Sequence, residues 1–359
     1  MKILDRYIIG KFLGTFFFIM AIIMAISIVF DISEKLDAFL RTGPSFYQIV
    51  VNYYFNFVIY YSNIFSSLLL FISIIIFTSK MAQNSEVISI LSAGVSYNRF
   101  LRPYFIATTI LVLFSVILNH VGVPYSNKVR LDFENNFVRN PFHIRKTNLH
   151  REIEPGTIVY FERFTTMNKV GYNFSIEVWD GDVLKSKLMA DRIVRDDDSS
   201  GHWTLQNYFI RTIDGQHEKI ESGAKLDTIL NFDIKDFGQH LDLAQAMDSF
   251  ELDAYIDKQR KRGADDLARY QLELHQRTSL PSAAYVLMLI GVSIASRKVR
   301  GGLGLHIVIG VVLAFVYLLF LRMFSVSAMN AGLHPLIAVW IPNILFSFIA
   351  FYFYKKAQK

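Results

Sequence analysis

Cysteine is absent from the 359 residues. That excludes disulfide frameworks, zinc ribbons, thiol catalysis and cysteine-ligated iron–sulfur clusters. Charge is scarce as well. Asp, Glu, Lys and Arg make up 19% of the chain, where an ordinary soluble domain carries about 25%. No G-x-x-x-x-G-K-[ST] phosphate loop occurs, and no H-E-x-x-H zinc motif. The glycine-rich run Gly301-Gly302-Leu303-Gly304 lacks a preceding strand and the lysine of a phosphate loop, so it reads as a turn at a membrane boundary. The nine histidines are scattered, with His120 and His334 near the ends of apolar runs, and spacing nominates no Ser-His-Asp set. No cofactor is implied by any of these patterns.

What is present is apolar. Hydrophobic residues reach 52% and the mean hydropathy is +0.32. Six stretches hold no Asp, Glu, Lys or Arg: 12–30, 42–79, 103–127, 278–296, 301–321 and 323–354. A bilayer core takes about 20 apolar residues per helical span, so each stretch is a candidate crossing. A purely soluble enzyme and an intrinsically disordered chain are both excluded. Between the third and fourth stretches, residues 128–277 carry 22 basic and 26 acidic side chains. A segment of that length can bury its own core in water.

Lys and Arg are retained in short cytoplasmic loops. The N-terminal segment, the loops between spans two and three and between spans four and five, and the C-terminus hold 12 basic and 2 acidic residues, a net of +10 in a chain of net +6. A six-span chain puts these four segments on one side. Both termini are therefore expected in the cytoplasm and residues 128–277 outside. Orientation absorbs the positive charge, and the pI of 9.2 is no argument for a nucleic-acid partner.

The loop after span two reads Asn84-Ser85-Glu86-Val87-Ile88-Ser89-Ile90-Leu91-Ser92-Ala93-Gly94. Asn84 or Ser85 can cap a helix, Glu86 suits the positive end of its dipole, and Gly94 can close it. Val87, Ile90, Leu91 and Gly94 share a face, as in a short amphipathic helix along the membrane. Within the apolar stretches the only interruption is Arg322, between spans five and six; no carboxylate lies at mid-depth, which argues against proton-driven transport. Lys35, Arg41, Lys128 and Arg130 fall just outside the membrane, where cations meet anionic lipid head groups. Plain surface charge is the alternative reading.

The external segment changes period. Residues 157–164, 172–179, 183–189 and 202–212 are rich in β-branched and aromatic residues, and Asp180-Gly181-Asp182 and Asp214-Gly215-Gln216 supply hairpin turns. Strands so spaced predict an antiparallel sandwich or jelly roll. The fold class is thus an α+β membrane protein, six transmembrane helices in a 3+3 arrangement around an inserted antiparallel β jelly-roll domain. Its expected divisions are 1–127 (spans one to three, with the amphipathic helix at 84–94), 128–248 (β domain), 249–277 (helical connector) and 278–359 (spans four to six).

That layout resembles the permeases of the lipopolysaccharide export transporter, the LptF/LptG family. The opening Leu4-Asp5-Arg6-Tyr7-Ile8 is similar to the family's first helix, the run from Ser85-Glu86-Val87 to Ala93-Gly94-Val95-Ser96 to its coupling helix, and Tyr270-Gln271-Leu272-Glu273-Leu274-His275-Gln276-Arg277 before Leu280-Pro281 to the entry of its fourth span. The first and last of these look most like LptG. The resemblance implies a bacterial inner-membrane permease with no enzyme activity of its own. It implies pairing with a second LptF/LptG-type permease on a cytoplasmic LptB-type ATPase dimer, with an LptC-type jelly-roll protein alongside.

Ser85, Glu86, Val87, Ile90, Leu91 and Gly94 would couple to the ATPase. Lys35, Arg41, Lys128, Arg130 and Arg322 would meet the lipid's phosphates. Such permeases carry a denser lysine cluster after span one than Arg41 beside Leu40, which implies fewer phosphate contacts here. Inward-facing Phe174 and Ile176 would line an acyl-chain groove in the β domain. A membrane-anchored β-domain scaffold, and a permease for another lipid or a lipoprotein, are the alternatives.

Overall fold

The computed structural model describes residues 3–138, 149–165, 170–195, 201–215, 217–230, 244–261, 267–298 and 302–357. Lys2, Arg300 and Lys359 of the basic loops, Gly301 and the chain from 231 to 243 lie outside them. Contacts divide the chain into two units. One comprises 1–130, 245–253 and 268–359; the other 131–244 and 254–267.

Six helices are long and apolar enough to cross a membrane. In the first unit α1 runs Ile3–Thr42, and its last turn closes where the Gly43 N–H donates to the Phe39 carbonyl. The second apolar stretch is helical through a π-type segment, Gln48–Phe55, then α2 (Asn56–Ile64) and α3 (Ser66–Gln83), with a turn at Phe65. After α4 (Glu86–Ser92) comes α5 (Tyr97–Ile117), continued by a π-type turn into α6 (Val123–Phe133). The third crossing therefore extends past Asn127, the expected end of the first division, to Val138. α7 (Ser249–Lys261) begins in the residues of the first unit and continues, from Ala254, in those of the second. The second half of the membrane unit holds α8 (Leu267–Ala295), α9 (Gly302–Asn330) and α10 (Pro335–Ala357). The connector expected to end at Arg277 is continuous with span four in α8.

α3 and α8 are the most buried crossings, α1 and α9 the least. The reason is visible in α3, which is apolar all round. Leu69, Leu70, Ile74 and Phe77 pack with Ile8, Phe12 and Phe16 of α1 and with Phe100 and Tyr104 of α5. Its opposite side, Phe71 and Ile75, packs with Leu287 and Ile290 of α8, Tyr317 of α9 and Phe346 of α10. Lipid is as apolar as leucine, so shape and close contact rather than water exclusion hold these helices together.

The second unit contains a six-stranded antiparallel sheet: β1 (Leu149–Glu154), β2 (Thr157–Thr165), β3 (Val170–Asp180), β4 (Val183–Arg195), β5 (His202–Asp214) and β6 (His217–Ile229). An antiparallel β domain inserted between two helical halves is thus present as expected. The strands neighbour one another in chain order, a meander; the Greek-key crossover of a jelly roll does not occur among the described residues. Alternation decides the faces. Phe161 lies opposite Phe174, Phe174 opposite Ala190, and Ile193 opposite Leu205. These residues, with Val159, Phe164 and Trp203, form the core of the unit.

Gly171 lets two strands approach there. A Cβ on it would lie 2.6 Å from the Phe161 ring and 2.7 Å from Ile193 Cγ2, and both side chains are fully packed. Gly171→Ala is expected to destabilise the sheet by about 1–3 kcal/mol through overpacking. Hydrogen exchange on the intact protein should show faster exchange in β2–β4 and unchanged protection in α3. Wild-type exchange in the variant would disprove this account of the core.

Candidate functional site

The short helix α4 is held rigidly from all but one side. Ser85 enters it with φ of 63°, and its hydroxyl makes no cap to the helix; that oxygen instead accepts from Lys298 Nζ at 3.3 Å. The expected capping role of Ser85 is therefore not what the structure shows. Glu86 accepts hydrogen bonds from Tyr7 of α1 and from Asn84, both at 3.1 Å. Gly94 closes the helix with φ of 86°, a conformation that only glycine adopts without strain.

Val87 is fully buried in the helical core, with Ile90 and Leu91 packed partly against it. This apolar face seats α4 on its own bundle. The outward side carries Ile88, 49% exposed, with exposed Ser89, Ser92 and Ala93. Of the expected coupling residues Val87, Ile90 and Leu91 lie on the inner side, and Ile88 lies off that stripe.

An ion pair fixes the floor beneath. Arg99 Nη1 and Nη2 donate to the two carboxylate oxygens of Asp5 at 2.6 and 2.8 Å, a bidentate fork. Ser96 caps α5 by accepting from the Arg99 N–H at 3.3 Å. Tyr97 donates to Ser293 of α8 at 3.2 Å, and Tyr354 of α10 donates to Asn98. The starts of α1 and α5 and the ends of α8 and α10 thus meet around α4. Asp5 was legible only as the lone acid in a basic N-terminal segment.

The five expected head-group cations are not brought together. Lys35 pairs with Asp31 at 2.8 Å and lies 4.6 Å above the Tyr53 ring. Asp31 also accepts from Tyr53 and Tyr54, at 3.1 and 3.2 Å. Arg130 is buried, donating to Asn127 at 2.7 Å with its guanidinium 4.9 Å from the Tyr60 ring. Arg41, Lys128 and Arg322 are exposed. A buried polar cluster was missed entirely: Arg277 donates to Ser249 and to the Met247 carbonyl, and His120 bonds the same Ser249 at 2.6 Å. Those residues stand far apart in sequence, and no motif links them.

In the β domain Phe174 is 1% exposed and packs on Phe161, while Ile176 is half-buried against the same cluster. Phe174 also borders a hollow of about 550 Å³ on the sheet. Among the described residues no group of three His, Asp or Glu could hold a metal ion.

Removing Asp5 leaves the Arg99 guanidinium without its bidentate partner. Asp5→Ala should therefore lower the melting temperature of the detergent-solubilised protein. The exchange Asp5→Arg with Arg99→Asp should recover most of it. A swap no better than the single variant would show that the fork is incidental.

No curated protein matches the chain. The family model described as lipopolysaccharide export system permease LptF/LptG does match it, over residues 6–356. The match runs through the first helices, α4, the inserted sheet and the last three spans. With nearly its whole length inside that match, the chain belongs to the LptF/LptG family of lipopolysaccharide export permeases.

Proposed function

We propose that this permease is half of an ATP-driven extractor, which lifts lipopolysaccharide from the outer leaflet of the inner membrane and passes it towards a periplasmic bridge. The chain has no phosphate loop of its own, so the stroke comes from a cytoplasmic ATPase of the LptB type. A second LptF/LptG-type permease completes the membrane cavity, and an LptC-type protein stands beside it. Both termini face the cytoplasm, the side on which the basic loops gather, and the β domain is periplasmic.

The observation that carries the reading is α4. It is a short helix whose inner face is locked to α1 and α5 and whose outer face offers one large exposed aliphatic, Ile88. A rigid knob of this kind transmits a push, whereas a surface anchor would bury its apolar side in lipid. Glu86 stands at the entry of α4, tied to Tyr7, so a load on the helix passes directly into α1. The lipid's tails set the energy scale, because each methylene removed from hydrocarbon into water costs about 0.8 kcal/mol. Arg41, Lys128 and Arg322 are exposed, where a lipid's phosphates would meet cations.

Ile88→Asp changes only an exposed side chain, so stability should stay within about 0.5 kcal/mol of wild type. Co-purification with the nucleotide-hydrolysing subunit, lipid-stimulated ATP hydrolysis and export should all fall at least tenfold. Glu86→Lys should abolish the stimulation as well. Full export by Ile88→Asp would remove α4 from the coupling role. A complex that never contains a nucleotide hydrolase would favour the scaffold reading, and mass spectrometry of the bound lipid separates lipopolysaccharide from other amphiphiles.

A further inference from the structure

Span two is one apolar stretch in the sequence and two rods in the structure. α2 ends at Ile64, Phe65 turns with φ of −85° and ψ of −1°, and α3 starts at Ser66. No proline or glycine stands between Asn56 and Gln83, so the usual helix breakers do not cause this bend. The break is flanked instead by Ser62, Ser66 and Ser67, and serine hydroxyls compete for helix carbonyls. Ser62 donates to the Ile59 carbonyl at 3.4 Å, and Ser67 to the Leu280 carbonyl of α8 at 2.8 Å.

The outside of the turn is open, with Ile64 and Phe65 40% and 39% exposed. On its inside lies a cavity of about 70 Å³, lined by Ser62, Asn63, Ser66 and Ser115 with Phe16 and Met20 of α1. That is room for about two waters.

The two sides of the break hold different partners. On the inner side Ser66 lies 3.4 Å from Ser115 of α5, and Leu69, Leu70 and Phe71 are buried in the bundle. On the outer side Asn63 accepts from Ser115 and donates to Asn119, both at 2.6 Å. Asn119 belongs to the π-type turn Leu118–Gly122, so an irregular stretch of span three faces the break. Farther out, Tyr53 and Tyr54 donate to Asp31 of α1. Tyr60 donates at 2.9 Å to Gln245, where the chain re-enters this unit.

We propose that Phe65 is a hinge, on which the outer arm of span two, Gln48–Ile64, tilts against α3 into the cavity during the transport cycle. That a cycle exists rests on the export reading above; the hinge itself rests on the geometry of the break. A close-packed interior moves only where space is left, and here the space lies at the bend. The serines that line it can take up the bonds Asn63 gives up, so no polar group is stranded in hydrocarbon. Hydroxyls hold α3 to α5 and α8, so the bend takes up the motion and the inner rod stays in place. The outer end of the permease thereby changes shape while the contacts around α4 stay packed.

Phe55 stands about 15 Å along the helix from the hinge, so a tilt of about 20° moves it by about 5 Å. The chain has no cysteine, so pairs of spin labels can be placed on it in the complete transporter, in vesicles containing lipopolysaccharide. Labels at the exposed positions Phe55→Cys and Ile110→Cys should change separation by about 5 Å between the nucleotide-free and the ATP–vanadate-trapped states. Labels at Lys80→Cys and Ile110→Cys, which report α3 against α5, should keep theirs. Bridging Asn63→Cys to Ser115→Cys with a short reversible thiol reagent should lower export at least tenfold, and reductant should restore it. Bridging Ser66→Cys to Ser115→Cys should leave export within about twofold. An unchanged separation from Phe55 to Ile110 overturns the hinge, as does equal export after bridging either pair. Where the unbridged Asn63→Cys pair is itself inactive, the distances alone decide. Shifted distances in a transporter that carries no lipopolysaccharide would keep the hinge and remove the export reading.

Discussion

Hydrocarbon offers no hydrogen bonds, so a chain crossing it six times must satisfy every polar group from within. α3 meets this constraint through contacts to three other helices. Ser66 and Thr78 reach Ser115 and Tyr104 of α5, Ser67 donates to the Leu280 carbonyl of α8, and Ser79 bonds His306 of α9 at 2.7 Å. Each of these hydroxyls would be costly if left alone in lipid. A helix half of which is leucine, isoleucine and phenylalanine thus carries a few small polar groups that reach α5, α8 and α9. The same helix provides apolar surface to both halves of the bundle.

Mechanical consequences follow from that hub. Only Asn84 and Ser85 separate the end of α3 from the start of α4. Ser89 Oγ bonds back to the Ser85 carbonyl, and Lys298 reaches Ser85 from beyond α8. Displacing α4 without displacing α3 would break these contacts together with the buried Val87. Displacing α3 drags α5, α8 and α9 through the hydroxyl contacts. Packed interiors shift between discrete arrangements and do not deform continuously. The three-helix half that contains α1 therefore responds to a load on α4 as one body.

How much of this was legible from residues alone varies by element, for physical reasons. The six crossings were plain because uncharged runs of that length have no other use. Strands β2 to β5 were found from their β-branched and aromatic runs and their glycine turns. The two edge strands β1 and β6 were missed: in β6 Glu218, Lys219, Glu221, Lys225 and Asp227 are exposed, so no apolar alternation marks it. α4 was found between Asn84 and Gly94, and its apolar stripe at Val87, Ile90 and Leu91 packs on the bundle. Amphipathic pattern shows which side is apolar and not whether lipid, bundle or partner covers it. The surroundings of the expected head-group cations were hidden in the same way. Lys35 and Arg130 look available in a list of charges, yet Tyr53 and Tyr60 lie beneath them, brought close only by folding.

The β domain poses the same question of which apolar side is closed. Strand alternation separates two sets of residues, and hydrophobicity points to the set containing Phe161, Phe174 and Trp203. Folding fills that set with itself, which is what a core of large aromatics does at native packing density. Phe161, Phe174 and Trp203 are each at most 1% exposed, so the strongest hydrophobic signal in these strands marks the part of the sheet that folding closes.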